Sequence, residues 1–281
     1  MQIDRRTALL TGTSFALAAG FAKPALAAPA WEARSNMDAA AYQAKFDQMT
    51  ADGFRPVVVD GYDAAGKVQF AAIWRKDGGP AWAARHGLDG AGYQQAFDGF
   101  VQDGFRPRYI SPYQDNGVKY AAIWDKSNGP AWIARHGLKL NDFQAEFNKN
   151  VAAGFRLVNV GVSSAFLQGP TYTGIWEKSD GTVWEARSAM NPAQYQQKFN
   201  QMTADGFRPR QVCGYNVIGQ PFFTAIWDKS PGPAWDARHN LNTAQFQQHF
   251  NDLVAQGYWL TSVSGYELNG QPAFAGVWEK T

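Results

Sequence analysis

The chain has 281 residues, 45% of them hydrophobic and 15% aromatic, with 26 basic residues against 24 acidic ones. Setting aside Arg5, Arg6, Lys23 and Asp4 in the first 27 residues leaves 23 basic and 23 acidic residues, so no basic stripe for nucleic acid or anionic lipid is expected. The one cysteine, Cys213, excludes an internal disulfide, and no later run reaches the ~20 apolar residues of a membrane span; a chain of this size buries enough surface to be held by packing.

The first elements read as an export signal. Arg5-Arg6 precedes an apolar run from Thr7 to Ala22, and small residues at Ala25 to Ala27 form a cleavage site. Cutting after Ala27 gives a mature chain of 28–281, whereas cutting after Ala28 would place Pro29 first. The paired arginines favour the twin-arginine route over the general secretory route. Either route makes the protein periplasmic or secreted, with no membrane anchor in the mature form.

The rest of the chain is one unit repeated five times. The motif W-x-A-R recurs at Trp31, Trp82, Trp132, Trp184 and Trp235, a second tryptophan at Trp74, Trp124, Trp176, Trp227 and Trp278, and between them a Gly-Phe or Gly-Tyr pair at Gly53, Gly104, Gly154, Gly206 and Gly257. The step is about 51 residues, which divides a single domain into units of 28–76, 77–126, 127–178, 179–229 and 230–281.

Each unit is expected to be helix, strand, strand. Asn191-Pro192 supplies an N-cap and a first-turn proline, Tyr195, Phe199 and Met202 form an apolar stripe at helical spacing, and Gly206 stops the helix in a left-handed conformation. The run Phe54 to Tyr62 reads as a strand, Asp63 to Lys67 as a turn, and Val68 to Trp74 as a second strand paired antiparallel to the first. A helix on a hairpin cannot bury both faces, so units must stack. Both terminal units keep their apolar positions instead of becoming polar caps. The fold class is therefore α+β, with the repeats closed into a propeller-like ring.

The linked motifs PAWxARHGL, GFRP and AAIWxK, read from Pro80 to Lys126, resemble the bacterial tandem repeat domain 1 family. The repeat is also similar to the non-catalytic N-terminal domain of fungal polyglycine hydrolases, in which the resemblance places the catalytic serine in a separate β-lactamase-like domain with a Ser-x-x-Lys motif. No Ser-x-x-Lys occurs in this chain. Unit three departs from the pattern at Gly154 to Phe166, and unit five reads Tyr258-Trp259-Leu260 where others read Phe-Arg-Pro.

Candidate site residues follow from this frame. Arg34, Arg85, Arg135, Arg187 and Arg238 stand three residues after a tryptophan, a spacing that puts both side chains on one side of a helical turn. They either line an axial anion site or, as an interface needed by every unit would require, stack on tryptophan or pair with Asp125, Glu177, Asp228 and Glu279. His86, His136 and His239 recur in only three units, too far apart around a ring for the ~2 Å bonds of zinc, so no metal or cofactor is expected. His249 reads as a surface residue.

Positions where one unit breaks the pattern are better candidates for ligand binding: Trp259 in a place able to hold arginine, and Ser163, Ser164 and Phe166 in the loop of unit three. No catalytic constellation frames those serines. The sequence thus points to an exported, monomeric, non-enzymatic binding module for a glycan, a glycine-rich peptide or an envelope protein. The alternative is a secreted serine-type hydrolase of the polyglycine hydrolase kind.

Overall fold

The computed structural model describes residues 30–165 and 168–281. The export signal, its cleavage site and Phe166 lie outside the described residues. Unit one consists of β1 (Ala30–Met37), α1 (Ala39–Ala51), β2 (Arg55–Ala64) and β3 (Lys67–Lys76). Unit two repeats this as β4 (Trp82–Leu88), α2 (Gly90–Gln102), β5 (Arg106–Gln114) and β6 (Val118–Asp125), and unit three as β7 (Trp132–Leu138), α3 (Leu140–Ala152), β8 (Phe155–Ala165) and β9 (Gly169–Lys178). Unit four is β10 (Trp184–Met190), α4 (Pro192–Ala204), β11 (Arg208–Val217) and β12 (Gln220–Asp228), and unit five β13 (Trp235–Asn242), α5 (Thr243–Ala255), β14 (Tyr258–Leu268) and β15 (Gln271–Lys280). None of these helices is long and apolar enough to cross a membrane.

The expected helix and hairpin are present in every unit, but each unit opens with a further strand. W-x-A-R is extended, not a helical turn. It pairs antiparallel with the last strand of its unit, giving five three-stranded sheets in the order β1-β3-β2 and its equivalents. On a strand, residues three apart face opposite sides of the sheet, so the tryptophan and arginine of W-x-A-R do not share a side.

The helices form for the reasons the sequence implies. Each has 13 residues, and Asn191 and Asn242 make complete capping boxes with Gln194 and Gln245. Helix α4 buries Tyr195 and Met202 and ends where Gly206 takes φ of +78°. The second tryptophan of each unit, Trp74, Trp124, Trp176, Trp227 or Trp278, is fully buried under the helix. Its indole N–H has no hydrogen-bond partner, so the ring is held by the volume it fills and not by its polar edge.

Units join through repeated aromatic contacts. A helix phenylalanine of one unit meets, edge to face, the W-x-A-R tryptophan of the next: Phe46–Trp82 at 5.7 Å, Phe97–Trp132 at 5.8 Å, Phe147–Trp184 at 5.8 Å and Phe199–Trp235 at 6.0 Å between centroids. Phe250 of unit five meets Trp31 of unit one in the same way, at 5.6 Å. The first hairpin strands also pack in order, β2 on β5, β5 on β8, β8 on β11 and β11 on β14, and β14 packs on β2.

Gly206→Ala is expected to lower stability by about 1 kcal/mol, because nothing crowds the added methyl but the left-handed backbone disfavours it. Urea denaturation of both proteins checks this, and equal midpoints would refute the helix-stop assignment.

Candidate functional site

The first hairpin strands converge on a cavity of about 240 Å³ lined by residues from all five units. A tyrosine repeats there at Tyr62, Tyr113, Tyr215 and Tyr266, each packing edge-on against an aromatic ring of the preceding unit: Phe274 at 5.8 Å, Phe70 at 5.2 Å, Tyr172 at 6.2 Å and Phe223 at 5.4 Å. Glycine lies beneath the ring where the fit is tightest; a Cβ on Gly265 would stand 2.4 Å from Tyr62. Unit three breaks the set. Ser163 occupies the tyrosine position, is buried, and accepts a hydrogen bond from Gln114 Nε2 at 2.6 Å. The five units therefore do not contribute equivalent side chains to the wall.

The charges of the cavity are of one sign. Asp60, Asp63 and Glu267 line it, and no lysine, arginine or histidine does. Asp60 is almost fully buried, with one oxygen accepting from the Gly265 N–H at 2.7 Å and the other from the Ser111 hydroxyl at 3.2 Å. Burial pushes its carboxyl up to about 7, against the lowering effect of those two hydrogen bonds. Asp63 is raised too, chiefly by desolvation and further by the charge of Glu267, whose carboxylate accepts from the Ala65 N–H at 3.0 Å. At the rim stands Ile218, 71% exposed and held at φ of +50°, where two other hairpins have Asn116 and Asn269. A β-branched side chain is poorly suited to that conformation.

Ser163 and Ser164 line this cavity, but the arginines singled out from the sequence do not. Arg34, Arg85, Arg135, Arg187 and Arg238 lie exposed on the outer strands. Four of them turn back to donate to the carbonyl of the preceding alanine: Arg34 to Ala33 at 2.8 Å, Arg85 to Ala84 at 2.7 Å, Arg135 to Ala134 at 2.9 Å and Arg238 to Ala237 at 2.9 Å. Several also pair locally, as Arg34 does with Glu32 at 2.6 Å and Arg135 with Glu146 at 3.1 Å.

The expected pairing with Asp125, Glu177, Asp228 and Glu279 is made by other arginines. Because W-x-A-R forms an outer strand, its arginine cannot reach them, whereas the arginines at the start of the first hairpin strand can. Arg106 reaches Glu177 at 2.7 Å, Arg156 reaches Asp228 at 3.8 Å and Arg208 reaches Glu279 at 3.0 Å, each crossing to the next unit. Arg106 also donates to the Pro130 carbonyl at 3.0 Å and lies flat against Gly129, with no room for a Cβ between them. That contact links the GFRP and GPAW motifs physically.

The histidines belong to the junctions. His86 packs edge-on to Tyr42 at 5.0 Å and Phe70 at 5.5 Å, and His136 and His239 repeat the arrangement on Tyr93 and Tyr195. Burial lowers the pKa of all three. Among the described residues no group of three or more potential ligands could hold a metal. His249 is not a free surface residue: its side chain is 23% exposed and lies 2.8 Å from Asp236. Trp259 is half-buried, with the Arg75 guanidinium 4.3 Å from its ring centroid and Trp31 edge-on at 6.5 Å.

These groups give opposite pH dependences. Asp60 binds its proton more tightly in the folded chain than in the unfolded one, where ~3.9 is usual, so its contribution is present at low pH and is lost as pH rises through about 7. Asp60→Asn is therefore expected to gain stability relative to wild type by roughly 1–3 kcal/mol between pH 5 and pH 8. Denaturation at both pH values tests this, and a constant difference would refute it. The junction histidines are held neutral, so their contribution is intact above ~6.5 and falls as pH drops through their lowered values. Replacing His86, His136 and His239 together by serine, the residue at Ser35 and Ser188, should flatten the loss of stability from pH 7 to pH 5 seen in thermal melts.

A family model for the polyglycine hydrolase-like structural repeat matches residues 28–77, 79–127, 129–179, 181–230 and 232–281, nearly the same units as those read from the two tryptophans. With the repeated strand-helix-hairpin unit and its junction motifs, this match identifies the chain as a member of the polyglycine hydrolase-like structural repeat family.

Proposed function

We propose that the five units close into a propeller-like ring and that the protein is an exported, non-enzymatic recognition module that takes the end of an extended polymer, a glycan or a glycine-rich peptide, into the axial cavity. The observation that carries this reading is the cavity wall itself, drawn from all five units. The ring is supported by the Phe250–Trp31 contact, which repeats at the last-to-first junction what the other junctions do, and by the packing of β14 on β2. At about 240 Å³ the cavity is smaller than the ~300–1,000 Å³ of drug-sized ligand sites, which suits a chain end better than a whole ligand. Exposed Ile218, in a conformation that asparagine fills more easily, offers apolar contact at the rim, and the carboxylates disfavour polyanions.

The site needs no chemistry to serve this role. Ser163 and Ser164 supply hydroxyls in the wall, but the cavity lining holds no histidine to act as their base. Export to the periplasm or beyond and a monomeric state complete the reading, since glycans and envelope peptides are found there.

Calorimetric titration of residues 28–281 with oligoglycine, chitin oligomers and peptidoglycan fragments tests the proposal. One of the three is expected to bind, and Ser164→Trp, which fills the cavity, should weaken it at least tenfold without lowering the melting temperature. Binding that survives this change would move the site elsewhere. Labelling by a serine-reactive probe that disappears in Ser163→Ala or Ser164→Ala would replace the module with a hydrolase.

A further inference from the structure

The junction between unit five and unit one differs from the others in both partners of one contact. In units two to five the residue after the second tryptophan is an acid, Asp125, Glu177, Asp228 or Glu279, and in units one to four the first hairpin strand begins near an arginine, Arg55, Arg106, Arg156 or Arg208. From unit two to unit five these meet across the junctions as ion pairs at 2.7, 3.8 and 3.0 Å. Between units one and two, Arg55 pairs at 2.7 Å with Asp77, in the link just after β3, and Asp125 is met by Arg108 at 3.4 Å. Only unit five has tryptophan in the arginine position, Trp259, and only unit one has arginine in the acid position, Arg75. The two exceptions face each other, with the cation 4.3 Å from the ring centroid.

Two more contacts at this junction use carboxylates. Asp60 accepts from the Gly265 N–H at 2.7 Å, where Ser111 and Ser264 do so for Gly61 and Gly214, and Glu267 accepts from the Ala65 N–H at 3.0 Å.

We propose that the facing surfaces of unit five and unit one are a self-recognition surface keyed by the Trp259–Arg75 exchange, whose partner is the other end of the same chain. The inference rests on the ring reading. Five units of one pattern could dock out of order, because every internal face offers the same arginine or the same acid. Here a wrong pairing of either end face is penalised. Arg75 docked on an internal unit would meet an arginine, and Trp259 docked on an internal unit would leave an acid without its cation. The correct pairing sets the Arg75 cation, which Asp77 also holds at 3.6 Å, over an indole face, a favourable contact that an internal arginine cannot offer.

A double-mutant cycle in the full chain tests this, using Trp259→Arg, Arg75→Glu and the two together, with melting temperature and light scattering after size exclusion as readouts. Each single variant should melt lower and form larger species, and the combination, which restores the ion pair of the other junctions, should recover at least half of the lost melting temperature and the monomer. Losses that simply add would overturn the key. If the glutamate variant does not fold, Arg75→Lys and Arg75→Gln replace it: lysine should keep most of the wild-type melting temperature and glutamine should not, and equal losses would overturn the key. X-ray scattering of the wild-type protein separates this outcome from failure of the ring. A compact particle with radius of gyration near 18 Å fits closure. An elongated arc sinks both readings, and a wild-type head-to-tail dimer moves the partner to a second copy, overturning the same-chain assignment.

Discussion

The arrangement of this protein depends on the edge-to-face contact between a helix phenylalanine and the first tryptophan of the following unit. A three-stranded sheet with one helix buries its inner tryptophan but leaves the helix flank and the outer strand half-covered. Phe46 and Trp82, or Phe199 and Trp235, cover each other and so turn two incomplete units into one core. The histidines inserted beside Tyr42, Tyr93 and Tyr195 widen the same contact in three junctions. The two tryptophans of a unit therefore do different work. The second, such as Trp176, stabilises its own unit, whereas the first, such as Trp132, stabilises the neighbour.

What the sequence made legible was what repeats at helical or alternating spacing. The helix from Pro192 to Ala204, its Asn191 cap and its Gly206 stop follow directly from local chemistry. The outer strand did not, for a physical reason. It is an edge strand, half-exposed on both sides, so Trp132 to Leu138 has no clean alternation, and a register shift after Arg135 breaks what pattern remains. The tryptophan and arginine three residues apart then resembled one face of a helix. Placing them on a strand sends the arginine outward and leaves Glu177 to Arg106.

The cavity was legible only in fragments. The loss of the repeat at Ser163 stood out, because four other units read tyrosine there. Asp60 and Glu267 gave no signal, since they lie in the first and last units and become neighbours only through the packing of β14 on β2. Trp259 stood out in the same way as Ser163, but an unusual residue names a place and not its role. The partner that gives Trp259 its meaning, Arg75, breaks the run of acids after the second tryptophan, but it becomes informative only when the two positions are seen to face each other.

The outer arginines carry a consequence beyond their own strands. A protein built from five similar sheets displays five similar outer edges, each a template on which another extended chain, or another copy of this one, could add a strand. Arg34, Arg85, Arg135 and Arg238 each fold a guanidinium onto a carbonyl of that edge, so an incoming strand would have to displace a charged group before it could form a ladder. The W-x-A-R refrain thus joins two features in one short strand: its tryptophan packs on the helix phenylalanine of another unit, and in four of the five units its arginine covers a backbone carbonyl of the strand. Repetition gives the chain its architecture, and in those four units the repeated arginine stands in the way of the edge-to-edge pairing that repetition invites.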